Sequence, residues 1–175
     1  TSTGSGVHRL NQVAGTAVLG ADNSGFNGTT TVSGGTLIVA NALGGSALVT
    51  GGLLQVDNTL AGPVTVEGSG TLAGVGSING STLFTKGGVL VGRQGQTLNI
   101  GGDLALTNAS QVNVVLGGTS TQALFNVGGA LTLDGTLNIS SPGGFGAGSY
   151  RVIDYQGTLT DNGMTLGTLP VGVSS

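Results

Sequence analysis

The chain has no cysteine and no tryptophan, and only one methionine, one histidine and three prolines in 175 residues. Without cysteine it forms no disulfide and offers no thiolate to a metal. A chain that crosses a membrane unfolded gains from the same absence, since no premature loop can close. The lone histidine, His8, has no carboxylate beside it and reads as a solvated residue near the terminus rather than a ligand. It is also the only base for a Ser-His-Asp arrangement, and no Gly-x-Ser-x-Gly elbow links a strand to a helix. Charge is scarce: 6% of residues are charged, against about 25% in an ordinary soluble protein. The four basic residues, Arg9, Lys86, Arg93 and Arg151, are scattered, and the net charge is -3, so no surface tracks nucleic-acid phosphates. No apolar run reaches the ~18 residues of a membrane-spanning helix, so no embedded membrane segment is expected. The start, "TSTGSGVHRL", lacks a charged-then-apolar signal pattern, so either a signal was removed or the chain is an internal piece.

What is present is glycine, 37 residues of it, together with leucine, valine, threonine, serine and asparagine. So much glycine raises the possibility of disorder, but disordered chains are poor in aliphatics or rich in net charge. Here hydrophobic residues make up 38% and are regularly placed. Collagen is excluded because glycine does not recur at every third position. The length fits one domain with a sizeable core.

Glycine pairs precede short apolar strands: "GGTLIV" at Gly34, "GGLLQV" at Gly51, "GGVLVG" at Gly87, "GGDLAL" at Gly101 and "GGALTL" at Gly128, with "GSGTLAG" from Gly68 as a looser relative. The early spacing is close to 17 residues and later spacings are irregular. Within each motif the apolar residues lie two apart, as in Leu37 and Val39 or Leu54 and Val56, so they share one face of a strand. No window sustains the helical period. A unit this short cannot bury its apolar face alone, but stacked units cover one another. The pattern therefore predicts an all-β parallel β-helix, with glycine at tight corners and Leu37, Leu54 and Leu72 in one inward ladder. A β-sandwich, the main rival, calls for aromatics and hairpin pairs that the first two-thirds lacks.

The last third changes character. Residues 141–166 hold both tyrosines and the only methionine; "YRVIDY" reads as a strand and "TDNG" as a turn, predicting a hairpin-type cap over the solenoid end. Leu98, Ile100, Leu104, Leu106, Leu131 and Leu133 are the candidate core beneath it, and Tyr150, Ile153 and Tyr155 part of the cap itself.

Chemistry is sparse. The seven carboxylates are spread singly; Asp57 and Glu67 are the one pair placed to meet on adjacent coils, without basic or aromatic companions. Gly-rich "GSGTLAGVGSING" lacks the lysine and the helix of a phosphate loop. The calcium-binding nonapeptide does not occur. The residues therefore point to no catalytic, metal or cofactor site, and no cofactor is expected.

The stretch "SGFNGTTTVSGGTLIVANALGGSALVTGGLLQV" (24–56) resembles the passenger-associated repeat of Gram-negative type V autotransporters. Residues 70–116 resemble the section that follows in such passengers. "LFNVGGALTLDGTLNIS" and "GAGSYRVIDYQGTLTDNGMTL" resemble the terminal autochaperone part. The likeness covers about 24–169. The chain departs from the family's usual Ala-Pro-Gly at "LVGRQG" and from its usual Asp at "QALFNVGG".

The resemblance implies a right-handed parallel β-helix on the bacterial outer surface, exposed or released after cleavage. Its C-terminal end would fold first and then template the rest. It implies an end piece over 1–23, frayed or an incomplete coil; regular coils over 24–80; and a C-terminal β-helix with autochaperone and cap over 81–169. Residues 170–175 would be a tail toward a linker and barrel that are missing here, as in an excised segment. The partners implied are upstream passenger coils and a translocator barrel of the same protein. An adhesin or self-association surface, binding a host surface or another copy, is the alternative role. A carbohydrate-active enzyme comes last, and the chain is expected not to be an enzyme.

Overall fold

In the computed structural model residues 8–173 are described, apart from the side chains of residues 82–84. The expectations for 1–7 and for 174–175 lie outside the described residues. The first coil holds β1 (Arg9–Gln12) and β2 (Thr16–Leu19), and the second β3 (Thr29–Val32) and β4 (Thr36–Val39). The third coil holds β5 (Ser46–Val49), β6 (Leu53–Val56) and β7 (Thr59–Leu60); the fourth, β8 (Val64–Glu67), β9 (Thr71–Gly74) and β10 (Ser77–Ile78). The fifth holds β11 (Thr82–Lys86), β12 (Val89–Arg93) and β13 (Leu98–Ile100); the sixth, β14 (Asp103–Leu106), β15 (Gln111–Val115) and β16 (Phe125–Val127). The seventh holds β17 (Leu131–Leu133), β18 (Thr136–Ser140) and β19 (Ile153–Tyr155), and β20 (Leu159–Asp161) and β21 (Thr165–Leu166) begin the eighth.

Successive coils stack in parallel into three sheets. The first sheet runs β1-β3-β5-β8-β11-β14-β17-β20 and the second β2-β4-β6-β9-β12-β15-β18-β21. The third runs β7-β10-β13-β16-β19. Isolated parallel bridges at Asn23, Leu43 and Leu60 extend the third sheet toward the N-terminal end. Among the described residues there is no helix, hence none long and apolar enough to cross a membrane.

The predicted ladder forms. Leu37 pairs with Leu54, Leu54 with Leu72, and Leu72 with Leu90, all buried. Two-residue alternation sends one side chain of each pair inward and the next outward, so half-buried and buried residues alternate along β3 to β6. Each inward leucine removes apolar area from water by lying on the leucines above and below, worth roughly 1.5–3 kcal/mol per side chain.

Glycine makes the corners possible. Gly35 and Gly52 have φ near +70°, and a Cβ on Gly52 would lie 2.4 Å from the carbonyl oxygen of Gly35 in the coil above. The glycine pairs nonetheless serve two different corners. Those at 34, 51 and 87 lead into the second sheet, whereas those at 101 and 128 lead into the first. Leu104 and Leu131 therefore pair with each other in the first sheet and do not continue the Leu37 ladder. A tight turn demands the same residue at either corner, so the motif alone does not distinguish them.

After a first coil of 20 residues, from Arg9 to Thr29, coil length drops and then grows along the chain. In-register Thr29 and Ser46 lie 17 residues apart, Asn99 and Asn126 lie 27 apart, and Thr136 and Thr165 lie 29 apart. The additional residues swell the corner between the second and third sheets, at 94–97, 116–124 and 141–152.

One expectation is corrected. The C-terminal segment is not a hairpin: β19, β20 and β21 pair in parallel with β16, β17 and β18, continuing the solenoid. "TDNG" turns the chain at a coil corner, with Gly163 at φ 88°, because a solenoid corner requires the same turn residues as a hairpin. At the other end residues 9–19 form a coil stacked on the next. β1 and β2 pair along their full length with β3 and β4, because Leu10, Ala17 and Leu19 find apolar neighbours in the next coil.

Candidate functional site

The proposed folding core divides by depth. Leu98, Ile100, Leu104, Leu106 and Leu131 are buried; Leu133, Tyr150 and Ile153 are half-buried, and Tyr155 is 41% exposed. Leu98 is in register with Phe125 and then Ile153, and Ile100 with Val127 and then Tyr155. These are continuous columns, and exposure rises where the following coil ends. Phe125, fully buried, was not among the residues singled out from the sequence. Its ring takes the space left at Gly92, where a Cβ would come within 2.7 Å of the ring edge.

Tyr150 belongs to the corner loops rather than to a cap strand. Its ring stacks on Phe145 at 4.7 Å, and its hydroxyl accepts from the Gly146 N–H at 3.0 Å. Beneath it the loops of successive coils are stitched together. Gln94 donates its amide to the Gly118 carbonyl at 2.7 Å and accepts from the Gly117 N–H. The Thr97 hydroxyl donates to the Ala123 carbonyl at 2.6 Å. At the corner between the first and second sheets the Ser110 hydroxyl, buried, donates to the Thr85 carbonyl at 2.6 Å and accepts from the Thr107 N–H at 2.9 Å. Asp103 accepts from the Ala130 N–H at 2.8 Å, and Asn138 donates to Asn113 at 2.8 Å. In the N-terminal coils the side-chain bonds between coils are fewer: Thr29 with Ser46 at 3.2 Å, Ser33 to Gln12 at 3.4 Å and Asn41 to Gly20 at 3.4 Å.

The outer face of the third sheet carries a polar groove of about 350 Å³. Asn99, Asn126 and Asp154 follow one another in register along its wall, with Asn126 donating to Asn99 at 3.2 Å. Gly101 and Gly128 lie one residue beyond Ile100 and Val127, and Asn79 and Gln156 occupy the corresponding places in the flanking coils.

Among the described residues the two carboxylates singled out as a pair do not converge. Asp57 follows β6 in the second sheet, whereas Glu67 ends β8 in the first, so the two carboxylates sit at different corners and do not face each other. Among the described residues no group of three His, Asp or Glu is placed to hold a metal. The Asp22 carboxyl is held below its ordinary value by the Ser24 N–H at 2.9 Å and then the Ser24 side chain, as in an Asx turn. Asp154 pairs with Arg151 at 3.4 Å, both well exposed.

Over 103 residues the chain is 41% identical to the adhesin BmaC autotransporter of Brucella suis biovar 1 (strain 1330). The match covers 54% of this chain but 3% of that far longer protein. No protein-family model matches the chain, and no solved structure matches it significantly. The relative supports the reading of these repeats as part of an autotransporter passenger.

Proposed function

We propose that this chain, an autotransporter passenger region by its likeness to BmaC, forms a surface-displayed stem whose C-terminal half promotes folding of the rest. In this reading residues 81–169 are the folding module, 24–80 the regular stem and 170–175 the lead toward a translocator. The observation that carries it is the uneven stitching of the coils. Polar side chains bind coil to coil repeatedly from Thr85 onward and sparsely before it. Parallel pairing joins residues far apart in sequence, so closing the first coil costs entropy before any contact compensates. A half with more inter-coil bonds forms first and offers an edge on which further coils zip, as nearest-neighbour propagation requires.

The partners that follow are upstream coils, stacking on the open end around Leu10, Leu19, Phe26 and Leu43, and a barrel of the same protein. The place of work is the bacterial surface. The role is structural and not enzymatic.

Leu131→Asp and Leu37→Asp in the full secreted protein test this. Each removes roughly 1.5–3 kcal/mol of burial and adds an unpaired buried charge worth several kcal/mol more, against about 5–15 kcal/mol for a typical domain. Leu131→Asp is expected to leave the passenger exported yet protease-sensitive along its length, while Leu37→Asp causes local damage. Equal damage, or more from Leu37→Asp, removes the folding role and leaves a passive stem.

Adhesion is a second reading, favoured by the likeness to an adhesin. The outward residues of the second sheet, including Thr16, Thr36, Thr71, Gln111, Asn113, Thr136 and Asn138, form a polar face whose one charged strand residue is Arg93, so another copy would meet little like-charge repulsion. Concentration-dependent dimers in sedimentation would support it.

A further inference from the structure

We infer that the groove on the third sheet is a binding site for a neutral, hydroxyl-rich glycan lying along the solenoid axis. The inference does not depend on the folding role proposed above.

Its wall is a line of amide and carboxylate groups, Asn99, Asn126 and Asp154, repeating once per coil at the ~4.8 Å spacing of paired strands. Asn79 and Gln156, at its two ends, are exposed. Amides donate and accept at once, which matches sugar hydroxyls that do the same.

The groove passes over Gly101, where no side chain stands, and the backbone does not demand glycine there. Its φ lies outside the left-handed region, and a Cβ would meet Asn79 and Ile78 only at 3.5 Å or beyond, in ordinary contact. This contrasts with Gly52, where a Cβ would collide with the backbone. The open space at Gly101 is therefore not explained by corner geometry, and it lies beside the polar line.

The lining also decides the class of ligand. It contains no cationic side chain, and Arg151, which lies 3.4 Å from Asp154, is already engaged by that carboxylate, so sulfate, phosphate or uronate groups find no free cation in the lining. Extended peptides dock chiefly by adding a strand to an open sheet edge. The strands in the middle of the groove, β13 and β16, are already paired on both sides.

The test uses the intact chain on an array of neutral hexasaccharides built from glucose, mannose, galactose or N-acetylglucosamine, with a sulfated heparin hexasaccharide and an unstructured peptide alongside. At least one neutral hexasaccharide is expected to bind in preference to both. Asn126→Ala should weaken it roughly two- to tenfold, the effect of one lost hydrogen-bonding group. Gly101→Ala should weaken it too, with an unchanged melting curve for both variants. The inference is overturned by absence of binding to every neutral sugar, by preference for heparin or peptide, or by neutral-sugar binding that neither substitution alters.

Discussion

Thr30 is fully buried between Leu10 and Ala47 in its column, and its hydroxyl has no hydrogen-bond partner. An orphaned buried polar group costs about 1–3 kcal/mol, so Thr30→Val, nearly the same shape without the hydroxyl, should stabilise the chain. Calorimetry is expected to find Tm raised by roughly 2–8 °C; a fall would mean the hydroxyl is engaged. Glycine gives a matched contrast at the same scale. Gly52→Ala forces a side chain into φ +70° and against the Gly35 carbonyl, and should cost at least about 1–2 kcal/mol from backbone handedness alone. Gly101→Ala should change stability by less than about 1 kcal/mol. The need for glycine somewhere near each strand was legible from the repeats. Which glycine is required was not, because that depends on the coil above, at a distance no local pattern records.

At the scale of elements, strands and corners behave differently. The strands were legible because alternation in "TLIV" or "LLQV" is a local property that stacking only confirms. The corner loops at 94–97, 116–124 and 141–152 were not, since their order rests on partners such as Gln94 and Gly118, which lie 24 residues apart. Nothing in a lone glutamine announces that it will clamp two backbone groups of the next coil. Gln94→Ala should therefore loosen residues 116–124 selectively. Hydrogen exchange at the Gly117 amide is expected to accelerate by at least about tenfold, with the amides of β4 and β6 unchanged. Uniform acceleration would place Gln94 in the global core instead. The same reasoning explains Tyr150: aromatic content marked the region as special, but only the stack on Phe145 assigned it to a loop rather than a cap.

The whole molecule is a one-dimensional stack without disulfide, and its carboxylates are dispersed over corners and faces. Such a chain draws its stability from burial and parallel pairing, so EDTA should leave the melting curve in place; a shift of several degrees would reveal a bound cation. The solenoid and the inward leucine ladder followed from composition and two-residue alternation, which are set within a few residues and do not depend on which coil lies next. The tertiary structure alone decided that β19 to β21 extend the stack instead of folding back. It also decided that the glycine pairs serve two corners, that Phe125 fills the void at Gly92, and that Asn99, Asn126 and Asp154 line one groove. Each of these turns on register between residues some 17 to 29 positions apart, and the coil lengthens unevenly, so register is settled only when every core column and corner has been packed together.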